Sequence, residues 1–464
     1  MTASAAPRSI VIVGGGASGL LVAVQLLRHG ADPSTIAIVE PGDALGQGIA
    51  YSTAQGEHLL NVVAARMSAF DDDPSHFVRF LEADPASDAE VAAADAGGGR
   101  PRGERFAPRR VYARYLAAIF AAEPGSAAVS HHRDRVLALQ PRDGGGHRLS
   151  LASGATLEAD AVVLAPGNEP RRIAEGARPA WDADALAAVG RDDAVAIIGA
   201  GLSMVDAVLT LDARGHRGPV TVLSRHGLAP LAHGDAFPGP AAAHDPALHA
   251  ASIRQRLHAV RARVRDAAAR GEPWQWAIDA LRPQVQSLWK ATPPRERARF
   301  LRHGVRYWDI HRHRIAPQVA ARLDALKAAG RLQLLAGRLA GGIAREGDGR
   351  ARLAIVPRGG GEPRTLVADV VFDATGVEGQ LERMRNPLLR ALADAGLARA
   401  GSLGIGLDCD DAGRVRAADG RVHAGIAAIG GVRIGQLWES IAIPELRGQA
   451  REIAALFAAP VAAR

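Results

Sequence analysis

Short, uninterrupted apolar runs punctuate this chain. Ile10-Val11-Ile12-Val13, Ala161-Val162-Val163-Leu164-Ala165, Val195-Ala196-Ile197-Ile198 and Val220-Thr221-Val222-Leu223 all end close to glycine or a polar turn. Strands that are apolar on both faces belong inside a parallel sheet, so the pattern predicts an α/β protein. The first run leads into Gly14-Gly15-Gly16-Ala17-Ser18-Gly19, then helical spacing from Leu20 to His29, a stop at Gly30 and a strand over Ile36–Glu40. The same strand–loop–helix–strand design returns about 185 residues later, from Ala194 through Gly199-Ala200-Gly201 to Leu223.

Between and after these units the pattern changes. Residues 84–105 read as a surface loop, and a helix is expected from Pro108 to Ala121. Residues 135–165 alternate apolar and polar positions with turns at Gly144–Gly146 and Gly154, as antiparallel strands do. Ile253, Leu257, Val260 and Val264 form one stripe of an arginine-rich helical stretch. Short strands are expected over 331–370, and a closing helix after Glu439. The expected fold is two Rossmann-like dinucleotide-binding domains, the second nested in a split first. The expected boundaries are 1–180 and 346–464 for the outer domain and 181–345 for the inner one, with a helical insertion at about 240–300.

The glycine loops carry the first chemistry. A dinucleotide loop needs one glycine for a tight turn, one for close approach to a pyrophosphate and one for helix–strand packing. Gly14, Gly16 and Gly19 meet all three needs, with Ser18 in the same first turn. Glu40 follows twenty-one residues after Gly19, where a carboxylate can accept from a ribose hydroxyl. This reads as an FAD site. The second loop offers Gly199, Gly201 and Ser203 but has Met204 where the third glycine belongs. Its following strand ends in Ser224-Arg225, and an arginine there suits a 2′-phosphate, which favours NADPH over NADH.

Composition narrows the partners. At 464 residues the chain exceeds a single core. No apolar run approaches the roughly 20 residues that span a bilayer, and residues 1–8 lack a signal-peptide core, so cytoplasmic residence without a membrane partner is expected. A net charge of +7 without aromatic-interleaved basic blocks or zinc spacing argues against nucleic acid. The charge reads as a solvated, arginine-rich face, with a basic funnel that gathers anionic ligands as the alternative. Cys409 is the only cysteine, which excludes a disulfide and any two-cysteine redox relay. Nothing in the sequence sets the oligomeric state.

Several strings go further: Gly46-Gln47-Gly48-Ile49-Ala50-Tyr51, His58-Leu59-Leu60-Asn61-Val62, Pro108-Arg109-Arg110-Val111-Tyr112, Tyr307-Trp308-Asp309-Ile310-His311-Arg312-His313-Arg314, and Leu437-Trp438-Glu439-Ser440 with Ile443-Pro444-Glu445-Leu446-Arg447. With them, nearly the whole chain resembles a flavin-dependent monooxygenase family. That family contains an FAD-dependent urate hydroxylase and an L-aspartate N-monooxygenase. The resemblance implies that NAD(P)H reduces FAD and that O2, taken up at flavin C4a, delivers one oxygen atom to a small anionic substrate. The absence of much beyond the shared core points to urate, giving 5-hydroxyisourate in purine catabolism. N-hydroxylation of an aspartate-like amino acid is the alternative, and a reductase, an oxidase without oxygenation or a non-enzymatic flavin-binding scaffold stay open.

The remaining candidates follow from placement. Gln47, His58 and Asn61, with Arg66, Met67 and Ser68 extending their loop, are expected at the flavin edge. Gly167 and Gly431 sit at later strand ends, and Asp373 at the turn that brings the chain back to the outer domain. Arg306, Tyr307, His311, His313 and Arg433 are the candidates for holding the substrate anion. His311 and His313 lack a third ligand, so no metal is expected.

Overall fold

The computed structural model describes residues 9–95, 98–234, 248–249, 252–345 and 347–458. Its first sheet has the order β15-β16-β7-β1-β2-β3. Five strands are parallel: β1 (Ile10–Val13), β2 (Ile36–Val39), β3 (Ser130–His132), β7 (Ala161–Leu164) and β16 (Val422–Ala428). β15 (Arg414–Arg416) closes one edge antiparallel. Ile12 is flanked by Ile38 and Val163, so the apolar runs pair with one another as both-face burial requires. A three-stranded antiparallel sheet, β4 (Val136–Pro141), β5 (His147–Leu151) and β6 (Thr156–Ala159), stands where alternation predicts one.

The second sheet has the order β13-β12-β11-β10-β9-β14-β8. Its strands are β8 (Arg178–Pro179), β9 (Val195–Ile198), β10 (Val220–Ser224), β11 (Leu332–Arg345), β12 (Ala351–Pro357), β13 (Arg364–Ala368) and β14 (Val370–Asp373). This corrects the expected return at 346. The hairpin of β12 and β13 continues the ladder of β11, and β14 pairs beside β9, so the chain leaves this sheet only after Asp373.

Helices differ from expectation in two places. Residues expected as loop form the helix Pro85–Ala94, with Asp84 capping the Ser87 N–H and proline in the first turn. The insertion outruns its expected end. It comprises Ile253–Ala269, Trp274–Asp279, Val285–Ala291, Pro294–His303 and Val305–Arg312, while 235–247 lie outside the described residues. Leu257 is 48% exposed, because Arg256 turns inward to donate to the carbonyls of Leu248, His249 and Leu288. Among the described residues no helix is long and apolar enough to cross a membrane.

Between the helices His76–Ala83 and Arg109–Ala122 lies a buried aromatic cluster. Phe77 sits 4.8 Å from Tyr115 and 5.2 Å from Tyr112, ring centre to ring centre. Phe77→Ala should lower unfolding stability by about 3–5 kcal/mol, the usual result of emptying a buried aromatic site. Urea unfolding measures this, and a loss under 1 kcal/mol (about one methylene's worth) contradicts the packing.

Candidate active site

Three parallel strands end side by side, and their loops build one groove. The Gly14 N–H bonds to the Val39 carbonyl, the Ala165 N–H to that of Val13 and the Ile429 N–H to that of Leu164, so the ladder carries into the loops. Gly14 has φ +101°, and a Cβ there would lie 2.1 Å from the Ala165 oxygen. At Gly19 a Cβ would fall 1.9 Å from the Gly14 oxygen, so this glycine is what lets helix Ala17–Arg28 press on β1. No side chain caps that helix at Gly16, which leaves its first N–H groups to a ligand.

Glu40 is anchored at the ribose position: its carboxylate accepts from the Gly15 N–H at 2.8 Å and the Gly42 N–H at 3.1 Å. The segment bearing Gln47 lies over the loop, with Gly46 N–H on the Gly15 carbonyl at 2.7 Å and Gly48 against Gly16. Opposite, Gly167 and Gly431 meet across Asn168, whose Oδ1 would be 2.1 Å from a Cβ at Gly431, and Ser18 lies against Gly430. Sequence reading missed Asn168, although it directly adjoins Gly167. The open helix terminus, the glycine cradle and the carboxylate together fit the pyrophosphate and ribose of FAD.

The second loop repeats this design with a difference. Gly199 has φ +104°, and a Cβ there would meet the Ala374 oxygen at 2.3 Å; a Cβ at Gly201 would meet nothing within 4 Å. Gly201 caps the helix Leu202–Ala213, whose first turn holds Ser203. Met204 is buried in the core between this helix and its sheet. Asp373 is a turn lock, accepting from Thr375 N–H and Oγ1 and from Ala174 N–H, and Ser224 Oγ accepts from Gly227 N–H in the same manner.

The anion-holding candidates disperse. Arg306 donates to the Ala200 and Leu228 carbonyls, both at 2.5 Å, which ties the insertion to the second loop. Tyr307 is exposed beside His226. His311 is bonded to the Tyr307 carbonyl one turn back and packs edge-on to Trp274. His313 lies 4.0 Å from Asp309. Arg433 is fully buried, spanning Gln436 and the Asp411 carbonyl as an internal strut. Two flavin-edge candidates are also structural: Met67 is core, and His58 bonds Thr53 on one side and Thr210 on the other, joining the two domains.

What converges instead is a cleft of about 590 Å³, open mouth included, between the Asn61–Arg66 loop, His233 and the insertion. Arg66, Arg282, Arg312 and Arg314 line it, with Phe106 as an apolar wall and Asp279 as one of two acids. Arg312 is held by the Glu439 carboxylate at 2.7 and 3.0 Å, and Arg282 by Glu445. Arg314 gives Nη2 to Asp279, but its Nε and Nη1 are buried without a partner, and its side chain is 3% exposed. His233 donates Nε2–H to the Asn61 carbonyl at 2.9 Å; burial, with Arg314 next, pushes its pKa down to about 4, so the ring is neutral and Nδ1 keeps its lone pair. Among the described residues no three metal-ligating side chains cluster.

Groove, second loop and cleft define a two-domain FAD- and NAD(P)-binding fold. Residues 11–169, about a third of the chain, match a sequence family described as FAD-NAD(P)-binding. No curated protein sequence matches the chain significantly. Among solved structures, the chain is similar to the ornithine N-hydroxylase of Kutzneria sp. 744, with reduced FAD, NADP+ and L-ornithine, at TM-score 0.63 and 19% identity over 97% of this chain and 98% of that one. The L-lysine 6-monooxygenase of Pseudomonas syringae follows at 0.62 and 17% identity over 97% and 99%. The cadaverine monooxygenase of Erwinia amylovora, bound to FAD, stands at 0.62 and 12% over 97% and 92%. At these identities the likeness establishes the fold, with both dinucleotide domains in place over nearly the full length.

Two outcomes test this geometry. Gly19→Ala should give a protein that purifies without flavin colour, because the helix must move off β1; retention of a full complement of flavin contradicts the fit. The Asp309 carboxyl is pushed up to about 6 by burial, against Arg306 and with Glu439. Since this exceeds the unfolded value near 3.9, its contribution to stability is full below about pH 4 and lost as pH rises through 6. Asp309→Asn should remove that part of the decline in urea unfolding between pH 4 and 7, and an unaltered decline contradicts it.

Proposed function

We propose that this chain is an FAD-dependent, NADPH-using monooxygenase that hydroxylates the amino nitrogen of a small carboxylate-bearing substrate. The observation that carries the reading is the arginine-lined cleft with the buried, unpartnered N–H groups of Arg314. Bound FAD, reduced by the nicotinamide, would supply the activation of O2.

The side chains supply the rest. Arg314 gives its free N–H groups to a substrate carboxylate, with Arg66 and Arg312 adding to the positive field. That field has a second consequence: nearby cations lower the pKa of an ammonium. N-hydroxylation needs the nitrogen lone pair, so a cleft of arginines favours the reactive, neutral amine. Neutral His233 accepts from the amine N–H through Nδ1 without adding charge, and Phe106 excludes water from one wall.

Amine N-oxygenation is supported over urate hydroxylation by the full-length likeness to three N-hydroxylating or amine-oxygenating enzymes. The substrates in those names are diamines or diamino acids, and a second ammonium would sit badly among these arginines. An aspartate-like acid suits the charge better. A reductase or oxidase without oxygenation leaves the free Arg314 donors without a purpose.

The test is NADPH consumption by the purified yellow protein with aspartate, glutamate, ornithine, lysine, cadaverine or urate. Acidic amino acids should accelerate it, and Arg314→Gln should raise the KM for them about 10- to 100-fold, the loss of a charged hydrogen bond. Stimulation by urate or by cadaverine alone would falsify the substrate assignment.

A further inference from the structure

Beyond the carboxyl end of β10 stand two arginines and a histidine that the cleft does not use. Arg225 is exposed and His226 half-buried just after the strand, while Arg358 comes from the start of the β12–β13 turn, far away in sequence. Backbone packing joins them. Arg358 N–H donates to the Ala336 carbonyl at 2.9 Å. Gly227, at φ +65°, approaches β11 so closely that a Cβ there would lie 3.1 Å from the Ala336 side chain.

Arg358 Nη1 lies 2.6 Å from His226 Nδ1. A guanidinium only donates, so this nitrogen of the imidazole accepts and carries no proton. Burial, then Arg358, Arg225 and Arg306, hold the pKa of His226 down. No carboxylate of the described residues forms an ion pair with Arg225 or Arg358, whereas most arginines around the cleft are paired. In a strand–loop–helix–strand nucleotide fold, the end of the second strand faces the adenosine ribose.

We infer that Arg225, His226 and Arg358 form a binding site for the 2′-phosphate of NADPH, with Arg358 the residue that decides NADPH against NADH. The inference rests on the second loop being the nicotinamide-dinucleotide site. Arg225 and Arg358 reach the phosphate from different strands, which suits a group with three acceptor oxygens. His226 holds the Arg358 guanidinium in place before the ligand arrives, so less side-chain freedom is lost on binding. The neutral 2′-hydroxyl of NADH offers these cations nothing to neutralise. Sequence reading reached Arg225 through its place after the strand; Arg358 carries no local signal, because only the antiparallel extension of the sheet brings it there.

Calorimetric titration of the FAD-loaded protein with NADP+, NAD+ and 2′,5′-ADP tests this. The last ligand lacks nicotinamide and so reports the phosphate alone. The wild type should bind NADP+ at least about 10-fold more tightly than NAD+. Arg358→Ala should weaken NADP+ and 2′,5′-ADP about 10- to 100-fold, leaving NAD+ affinity and flavin content unchanged. Arg358→Lys, which keeps the charge but not the fork, should fall between. Equal affinity for NADP+ and NAD+ in the wild type, or equal losses of both in Arg358→Ala, overturns the phosphate site. Failure of every nucleotide to bind overturns the reading of the second loop itself.

Discussion

The ion pair of Arg312 with Glu439 is the contact on which the cleft depends. Both side chains are nearly buried, and the guanidinium gives two donors to one carboxylate oxygen. Removing one partner of such a pair typically costs 3–5 kcal/mol, since the other is left charged in a dry site. The structure goes to some length to deliver Glu439. Trp438 takes φ +64°, a strained turn closed by Glu439 N–H on the Leu437 carbonyl, and its ring rests 4.8 Å from Trp289. Trp289 in turn donates to the Gly435 carbonyl. The insertion is thereby fastened to the segment that follows Gly431, and a cleft wall built by one domain is registered against a flavin groove built by the other.

That arrangement explains why so many arginines can share a small space. Arg312, Arg282 and Arg314 each answer to a carboxylate from elsewhere in the fold: Glu439, Glu445 and Asp279. At Arg314 buried donors remain without a hydrogen-bond partner. A positive, partly dry cleft attracts carboxylates and holds amines neutral by the same physics, so in the proposed reaction one set of charges would serve both binding and reactivity.

Much of the outer fold was legible because it obeys local rules. Uninterrupted apolar runs announced the parallel strands, and the positions of Gly14, Gly16 and Gly19 announced the first loop. The boundary expected at 346 falls short because β12 and β13 look like any short strands; only their pairing with β11 assigns them to the inner sheet, which the chain leaves at the Asp373 turn. The string from Tyr307 to Arg314 does not stay together in the structure. On the helix Val305–Arg312 the side chains face several directions, so Arg306 reaches the second loop and His311 its own backbone, while Arg312 and, past the helix end, Arg314 reach the cleft. Arg433 follows Gly430 and Gly431 of the groove, but its side chain is buried against Gln436 and the Asp411 carbonyl. Asp279, Arg282 and His233 had no motif to betray them.

In the proposed reaction NADPH supplies two electrons to O2, one oxygen atom leaves as water and the other bonds to the substrate nitrogen. Mass spectrometry of the product formed under labelled O2 from an acidic amino acid addresses it directly. The account predicts one labelled oxygen bonded to nitrogen, with NADPH consumption coupled to it. Label found only in hydrogen peroxide, or on a carbon atom of the product, would contradict it.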